Sequence, residues 1–306
     1  MSFKNAVKIL ISKFGLVWLL MLFLLFVGIV VLGLSAPFLT VIIRIIKRSD
    51  LGEQISTLYQ GILNGESLSV IASKIRGVFA YASELFKTDK RLSVSSVLWI
   101  FFVLVFAYRF ILGLYELPMV SVMDGILSSN ARLGFFGRFI ALLGRSCRFV
   151  LVKMIYTVIF DGAIFIAVYS MLGLFSLSWF ALFAPFLIML VLIVLLTVRY
   201  SLIAMWAPSM VIGNKNVFQA FAYSVKKGIK HALPIMSSFA LAWIVIIPIN
   251  VFIGIFTFGV GLLVTVPVSV MFINILNMTL FFGKTNRRYY VGSEVFNPPT
   301  VEDGIE

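Results

Sequence analysis

Six apolar runs, each uninterrupted for the length of a bilayer crossing, decide what this chain can fold into. A hydrocarbon core takes about 20 helical residues to cross. The runs from Gly15 to Ile43, Val94 to Leu117, Met154 to Phe175, Trp179 to Trp206, Pro234 to Ile255 and Gly261 to Phe282 each suffice. They predict an all-α fold: a polytopic transmembrane helical bundle of six spans over residues 15–282, with Pro248 and Pro267 as kinks that neighbouring helices accommodate. The first run is too long for the core of a signal peptide, and Ser35-Ala36-Pro37 stands where a small-x-small cleavage site would be, so it reads as a span of the mature protein.

Composition agrees: 61% hydrophobic and only 12% charged residues, with a mean hydropathy of +1.10, lie outside the globular mix. One cysteine, Cys147, permits no disulfide framework, and one histidine, His231, leaves no His/Cys set for zinc. No cofactor is expected. The net charge of +13 reads as loop lysines and arginines held on the cytoplasmic side, not as a nucleic-acid footprint.

Those basic residues set the orientation. The turns near Ser176 to Ser178 and Thr257 to Gly259 carry no charge, whereas the loops between carry Arg132, Arg138, Arg145, Arg148 and Lys153, then Lys215, Lys226, Lys227 and Lys230. The charged loops belong inside. Lys4, Lys8 and Lys13 at the start and Lys284, Arg287 and Arg288 at the end place both termini in the cytoplasm of a bacterial cell, with residues 283–306 as a tail that turns acidic from Asn297 to Glu306.

Three segments outside the spans have amphipathic periodicity. Residues 1–14 place Phe3, Val7, Leu10, Ile11 and Phe14 opposite Lys4 and Lys8, an interfacial helix on anionic lipid. An extracytoplasmic insert, residues 51–87, gives two helices broken at Asn64-Gly65; Leu51, Ile55, Leu58 and Ile62 line the first, and Leu68, Ile71, Ile75, Phe79, Ala82 and Phe86 the second. The basic charge between Arg44 and Arg91 runs against an outside position but is diluted by Asp50, Glu53, Glu66, Glu84 and Asp89. Residues Asn216 to His231 set Val217, Phe218, Phe221, Val225 and Ile229 against Gln219, Tyr223, Lys226, Lys227 and Lys230, a basic elbow helix for the inner leaflet or a docking face for a cytoplasmic or membrane partner.

Charge inside the spans is the most informative feature, because it is costly there. Arg109, Asp161 and Arg199 fall at one depth, about 10 to 12 Å from the inner ends of spans two, three and four at 1.5 Å per residue. They can form an Arg109, Asp161, Arg199 cluster in which the carboxylate ties three helices together. The competing account has both arginines snorkel to the headgroups; Asp161 is too short to do so. Around two of these residues the chain repeats itself: Arg109-Phe110-x-Leu112 with Pro118, then Arg199-Tyr200-x-Leu202 with Pro208, at the same spacing. This reads as a duplicated hairpin. Asn250, Asn274 and Asn277 are candidates for interhelical hydrogen bonds, and Gly28, Gly33, Gly162 and Ala167 for close helix approach.

The segment from Arg199 through Ala207-Pro208 to Ala220, Ser224 and the basic helix resembles the six-span membrane domain that precedes the catalytic domain of bacterial glycerophosphoryl diester phosphodiesterases, and related stand-alone membrane proteins. In that family the chemistry belongs to a soluble domain. The resemblance therefore implies a non-catalytic membrane module associated with lipid or envelope processes, not phosphodiesterase activity.

Enzymatic signatures are weak. Gly283-Lys284-Thr285 ends like a phosphate loop, but Met278 stands where its first glycine belongs; Asn277-Met278-Thr279 is a glycosylation sequon inside a span; and His231 at a span boundary reads as an interfacial residue. The expected function is a non-enzymatic module that interacts with membrane lipids or assembles with partner proteins. The alternative is a small secondary transporter or transporter subunit using the Arg/Asp cluster; an intramembrane lipid enzyme with Asp161 as its acid ranks third.

Overall fold

The computed structural model describes residues 2–48, 50–88, 98–99, 101–129, 131, 134–173, 183–291 and 294–296. The expected starts of spans two and four at Val94 and Trp179, the turn Ser176 to Ser178, Arg132 and the acidic tail lie outside these residues. The chain is an all-α multi-pass membrane bundle. Six of its described stretches are long and apolar enough to cross a bilayer.

In order, the helices are α1 (Ser2–Ser12), α2 (Gly15–Arg48), α3 (Leu51–Leu63), α4 (Leu68–Thr88), a π-helical stretch (Phe101–Ala107) running into α5 (Tyr108–Gly113), α6 (Glu116–Ser129), α7 (Phe135–Met171), α8 (Ala184–Ile203), α9 (Trp206–Val211), α10 (Val217–Lys230), α11 (Ala232–Phe256) and α12 (Leu262–Lys284). A short antiparallel hairpin, β1 (Tyr289–Val291) and β2 (Glu294–Phe296), follows. Their contacts divide the chain into two compact units. One comprises Met1–Val27, Phe110–Tyr156 and Ile193–Glu306, the other Gly28–Arg109 and Thr157–Leu192.

The first unit is built around α6, of which Leu117, Met119, Val120, Val122, Met123 and Leu127 are all buried. Helices α9 and α12 and strand β1 pack on it. Helix α1 lies on α12 by its Ala6/Ile9 stripe, with Phe3 edge-on to Phe272 and Asn5 Nδ2 donating to the Tyr289 hydroxyl at 2.8 Å. The N-terminal arm turns its central apolar stripe to protein, leaving Lys4 and Lys8 exposed. The start of the tail is folded, because Tyr289 is buried against Phe282 and closes the hairpin over α6.

Two span boundaries also differ. Helix α7 begins at Phe135 and is continuous through Lys153, so the basic residues Arg138, Arg145 and Arg148, expected in a loop, ride on the helix that becomes span three. Span two breaks at Leu114-Tyr115 and continues as α6 rather than ending at Leu117. The apolar count could not distinguish a buried helix from a loop where polar residues interleave.

In the second unit, α3 and α4 pack together across the Asn64-Gly65 turn, where Gly65 takes φ +69°. Glu66 pairs with Lys74, and Phe79 of α4 meets Phe165 and Tyr169 of α7 at 6.2 and 5.7 Å. Glycine use is also corrected. Among the described residues nothing lies within 4 Å of a Cβ placed on Gly28, Gly33 or Gly162, whereas close approach occurs at Gly113 against Val150 and at Gly228 against the Ser201 carbonyl.

Candidate functional site

The two Arg-aromatic-x-Leu segments break their helices in the same place. After Arg109, the chain turns at Leu114-Tyr115 and restarts as α6; after Arg199, it turns at Ala204-Met205 and restarts as α9. Pro118 and Pro208 each occupy the third residue of the new helix, a first-turn position whose missing N–H needs no intrahelical partner. The next residue then closes the turn in both: Met119 N donates to the Tyr115 carbonyl at 2.9 Å, and Ser209 N to that of Met205 at 3.0 Å. Helices α6 and α9 pack against each other.

A helix break exposes peptide groups, and α10 answers those of the second one. The Ser224 hydroxyl accepts from Met205 N at 3.1 Å and donates to the Leu202 carbonyl at 2.8 Å, while Trp206 Nε1 donates to the Val217 carbonyl at 2.9 Å. The docked stripe is Ala220, Ser224 and Gly228, all buried. The large residues Phe218 and Ile229, expected on one face with Phe221 and Val225, are instead 70% and 65% exposed, beside exposed Lys226 and Lys230. Small residues permit the close backbone approach; the bulky ones are left exposed.

These breaks border a cavity of about 380 Å³ in the first unit, lined from α6, α7, α8, α11 and α12. At one end Glu116, the first residue of α6, pairs with Lys153 of α7; their side chains are 12% and 22% exposed. Lys153 also lies 5.4 Å from the Phe149 ring. Nearby, Asn274 Nδ2 donates to the Tyr115 hydroxyl at 3.0 Å. Farther along, Asn250 bridges α11 and α12, donating to Ser269 Oγ at 3.0 Å and accepting from Thr265 Oγ1 at 2.8 Å. Two buried polar atoms of lining residues, Trp243 Nε1 and Asn277 Oδ1, have no hydrogen-bond partner among the described residues. At the far end Val251 and Val266 are 54% and 41% exposed, so an apolar mouth faces the surroundings. From Val266 to Asn277 the wall runs about 16 Å at 1.5 Å per residue. The space is therefore amphipathic along its length.

Of the residues singled out in the sequence, Arg109 and Asp161 form an ion pair in the second unit, each about 30% exposed. Arg199 belongs to the first unit, where its carbonyl accepts from the Tyr156 hydroxyl at 2.8 Å and its guanidinium lies 5.4 Å from the Tyr200 ring. Asn250 and Asn274 make the expected interhelical bonds. The Glu116–Lys153 pair was missed, because one residue looked like a span end and the other a loop charge; an acid and a base at matching span boundaries were the available signal. Among the described residues no group of three His, Cys, Asp or Glu gathers to hold a metal.

Outside the spans, His231 joins α10 to α11. Its burial, together with Lys284, Lys227 and Lys230, holds the imidazole below its ordinary range. Comparisons with protein-family models, with curated proteins and with solved structures find no match to this chain.

Proposed function

We propose that this chain is a non-enzymatic lipid-binding module of the bacterial cytoplasmic membrane, with both termini inside, that holds one amphiphilic lipid in the cavity of its first unit. The carrying observation is the cavity's polarity: an apolar mouth at Val251 and Val266, and a polar end at Glu116, Lys153 and Asn277. An acyl chain satisfies the first and a headgroup the second; an unpartnered buried Asn277 oxygen and Trp243 N–H are groups that a bound molecule would satisfy. Helix α10 supports the same reading, since exposed Phe218 and Ile229 beside lysines suit an interface of anionic lipid. Partner assembly through that face remains part of the proposal.

Native mass spectrometry of the protein released from nanodiscs tests it. The wild type should retain one tightly held lipid, and Val270→Trp, which fills the cavity, should lose it while melting at the wild-type temperature. Equal retention by both would refute the assignment.

A second reading, a small secondary transporter, is favoured by the charge that Glu116 and Lys153 place in the cavity and by the partly exposed Arg109–Asp161 pair. Single cysteines at Asn277, and at Thr157 and Ile164 beside Asp161, in a Cys147→Ser background separate the two. Labelling by membrane-impermeant reagents from either side marks an aqueous path and favours transport; protection with labelled loop controls favours the lipid site.

A further inference from the structure

Where the apolar stretch of α8 and α9 ends, a second pocket of about 310 Å³ opens in the first unit, lined by Arg145 and Arg148 of α7, Asn214, Lys215 and Asn216 of the turn, and the first residue of α10. We propose that it binds a phosphate monoester. This site is separate from the cavity and does not depend on what fills it.

Three cations line this space and, among the described residues, no carboxylate does. The contrast with the rest of the bundle is informative: Arg109 and Lys153 each have an acid, whereas among the described residues none of Arg145, Arg148 and Lys215 is in an ion pair. Arg145 and Arg148 stand three apart on one helix and so share a face. Arg145 is aimed by a hydrogen bond from one guanidinium nitrogen to the Met210 carbonyl at 2.7 Å, which leaves its other donors free for a ligand. Lys215 lies 3.4 Å from the centre of the Tyr223 ring.

The turn that presents Lys215 is held in one shape before any ligand arrives. A Cβ at Gly213 would lie 2.6 Å from the Ser209 carbonyl, so only glycine fits. Asn214 takes φ +48°, and Lys215 N donates to that same carbonyl at 3.3 Å. Asn216 then caps α10, its side chain accepting from Gln219 N at 2.9 Å while Gln219 Oε1 accepts from Asn216 N. The positive end of α10 thus adds to the pocket's edge.

A rigid basic pocket with no acid of its own fits an anion, and the guanidinium fork matches phosphate oxygens two at a time. Three cations favour a monoester, which carries about −1.5 to −2 near neutral pH, over a singly charged diester. The pocket lies at the polar turn Gly213–Asn216, just past the apolar stretch Ala184–Val211, so the monoester comes either from an anionic lipid headgroup or from a soluble phosphate ester.

The test uses the full chain. Nanodiscs of phosphatidylcholine doped with phosphatidic acid, read by native mass spectrometry, probe the lipid source. Inorganic phosphate titrated into protein in uncharged detergent, by calorimetry against chloride, probes the soluble one. Phosphatidic acid should be retained at least about tenfold better than phosphatidylcholine, or phosphate should bind saturably; the first result assigns a headgroup, the second a soluble ester. Arg148→Gln, which removes no hydrogen bond among the described residues, should weaken that binding about tenfold, and Arg148→Gln/Lys215→Gln should abolish it. The cavity variant Val270→Trp should retain it, which separates failure here from failure of the lipid-cavity assignment. Absence of both preferences, or unchanged binding by the double variant with an unaltered melting curve, overturns the proposal.

Discussion

Replacing Glu116 by Gln strands Lys153 inside the bundle, and the consequence should be asymmetric. Both partners are less than a quarter exposed, and removing one member of a buried pair costs about 3–5 kcal/mol, because the other charge is left without compensation. That range applies to Glu116→Gln. Lys153→Met should be milder. Glu116 is the first residue of α6, so the positive end of that helix still faces the stranded carboxylate, worth up to about 2 kcal/mol in a partly buried setting. Subtracting that leaves about 1–3 kcal/mol for Lys153→Met. The double variant Glu116→Gln/Lys153→Met should recover most of the larger loss, since neutral replacements for a buried pair are often tolerated. Reversible unfolding in bicelles, with all four proteins in one double-mutant cycle, measures these terms. At high salt the coupling should persist, because buried pairs are weakly screened. If Lys153→Met costs as much as Glu116→Gln, the helix-end argument fails, and if the double variant equals the sum of the singles, the pairing itself fails.

Three further outcomes are expected. Ser224→Ala leaves Met205 N–H and the Leu202 carbonyl unanswered at a fully buried site, which should cost about 2–6 kcal/mol at 1–3 per group; the exposed Ser237→Ala control should be neutral, and equal melting temperatures would contradict this. Gly113→Ala places a Cβ 2.8 Å from both Val150 methyl groups, and Val150 is itself buried, so a loss of about 1–3 kcal/mol is expected from overpacking, read by the same unfolding assay. His231 titrates below 6.5 in the fold. The unfolded chain therefore binds the extra proton between the two values, so its contribution to stability is full above pH 6.5 and declines as pH falls through the folded value. As the single histidine, it gives an unambiguous NMR titration, and a midpoint at or above 6.5 would refute the assigned environment.

Much was legible from apolar run length alone, since hydrocarbon demands helices of one minimum length: six described stretches are long and apolar enough to cross a bilayer. The Asn64-Gly65 break was readable because a turn residue interrupted two helical periodicities. Both copies of the Arg-aromatic-x-Leu-Pro spacing fall where a helix breaks and restarts. What that break accomplishes was not readable. The docking of α10 rests on Ala220, Ser224 and Gly228, small residues that a hydrophobic pattern passes over in favour of Phe218 and Ile229.

The sequence by itself determined the solvent, the helical class, the span count and the rarity of charge within spans, because each follows from transfer energetics of short contiguous segments. Only the tertiary structure decided which charges meet. Glu116 and Lys153 are distant in sequence, as are Arg145 and Lys215, and their pairing or clustering depends on where helices break and cross. The cavity and the basic pocket exist between elements, so no local pattern encodes them; they arise from packing, in which the shape left unfilled is as specific as the contacts made.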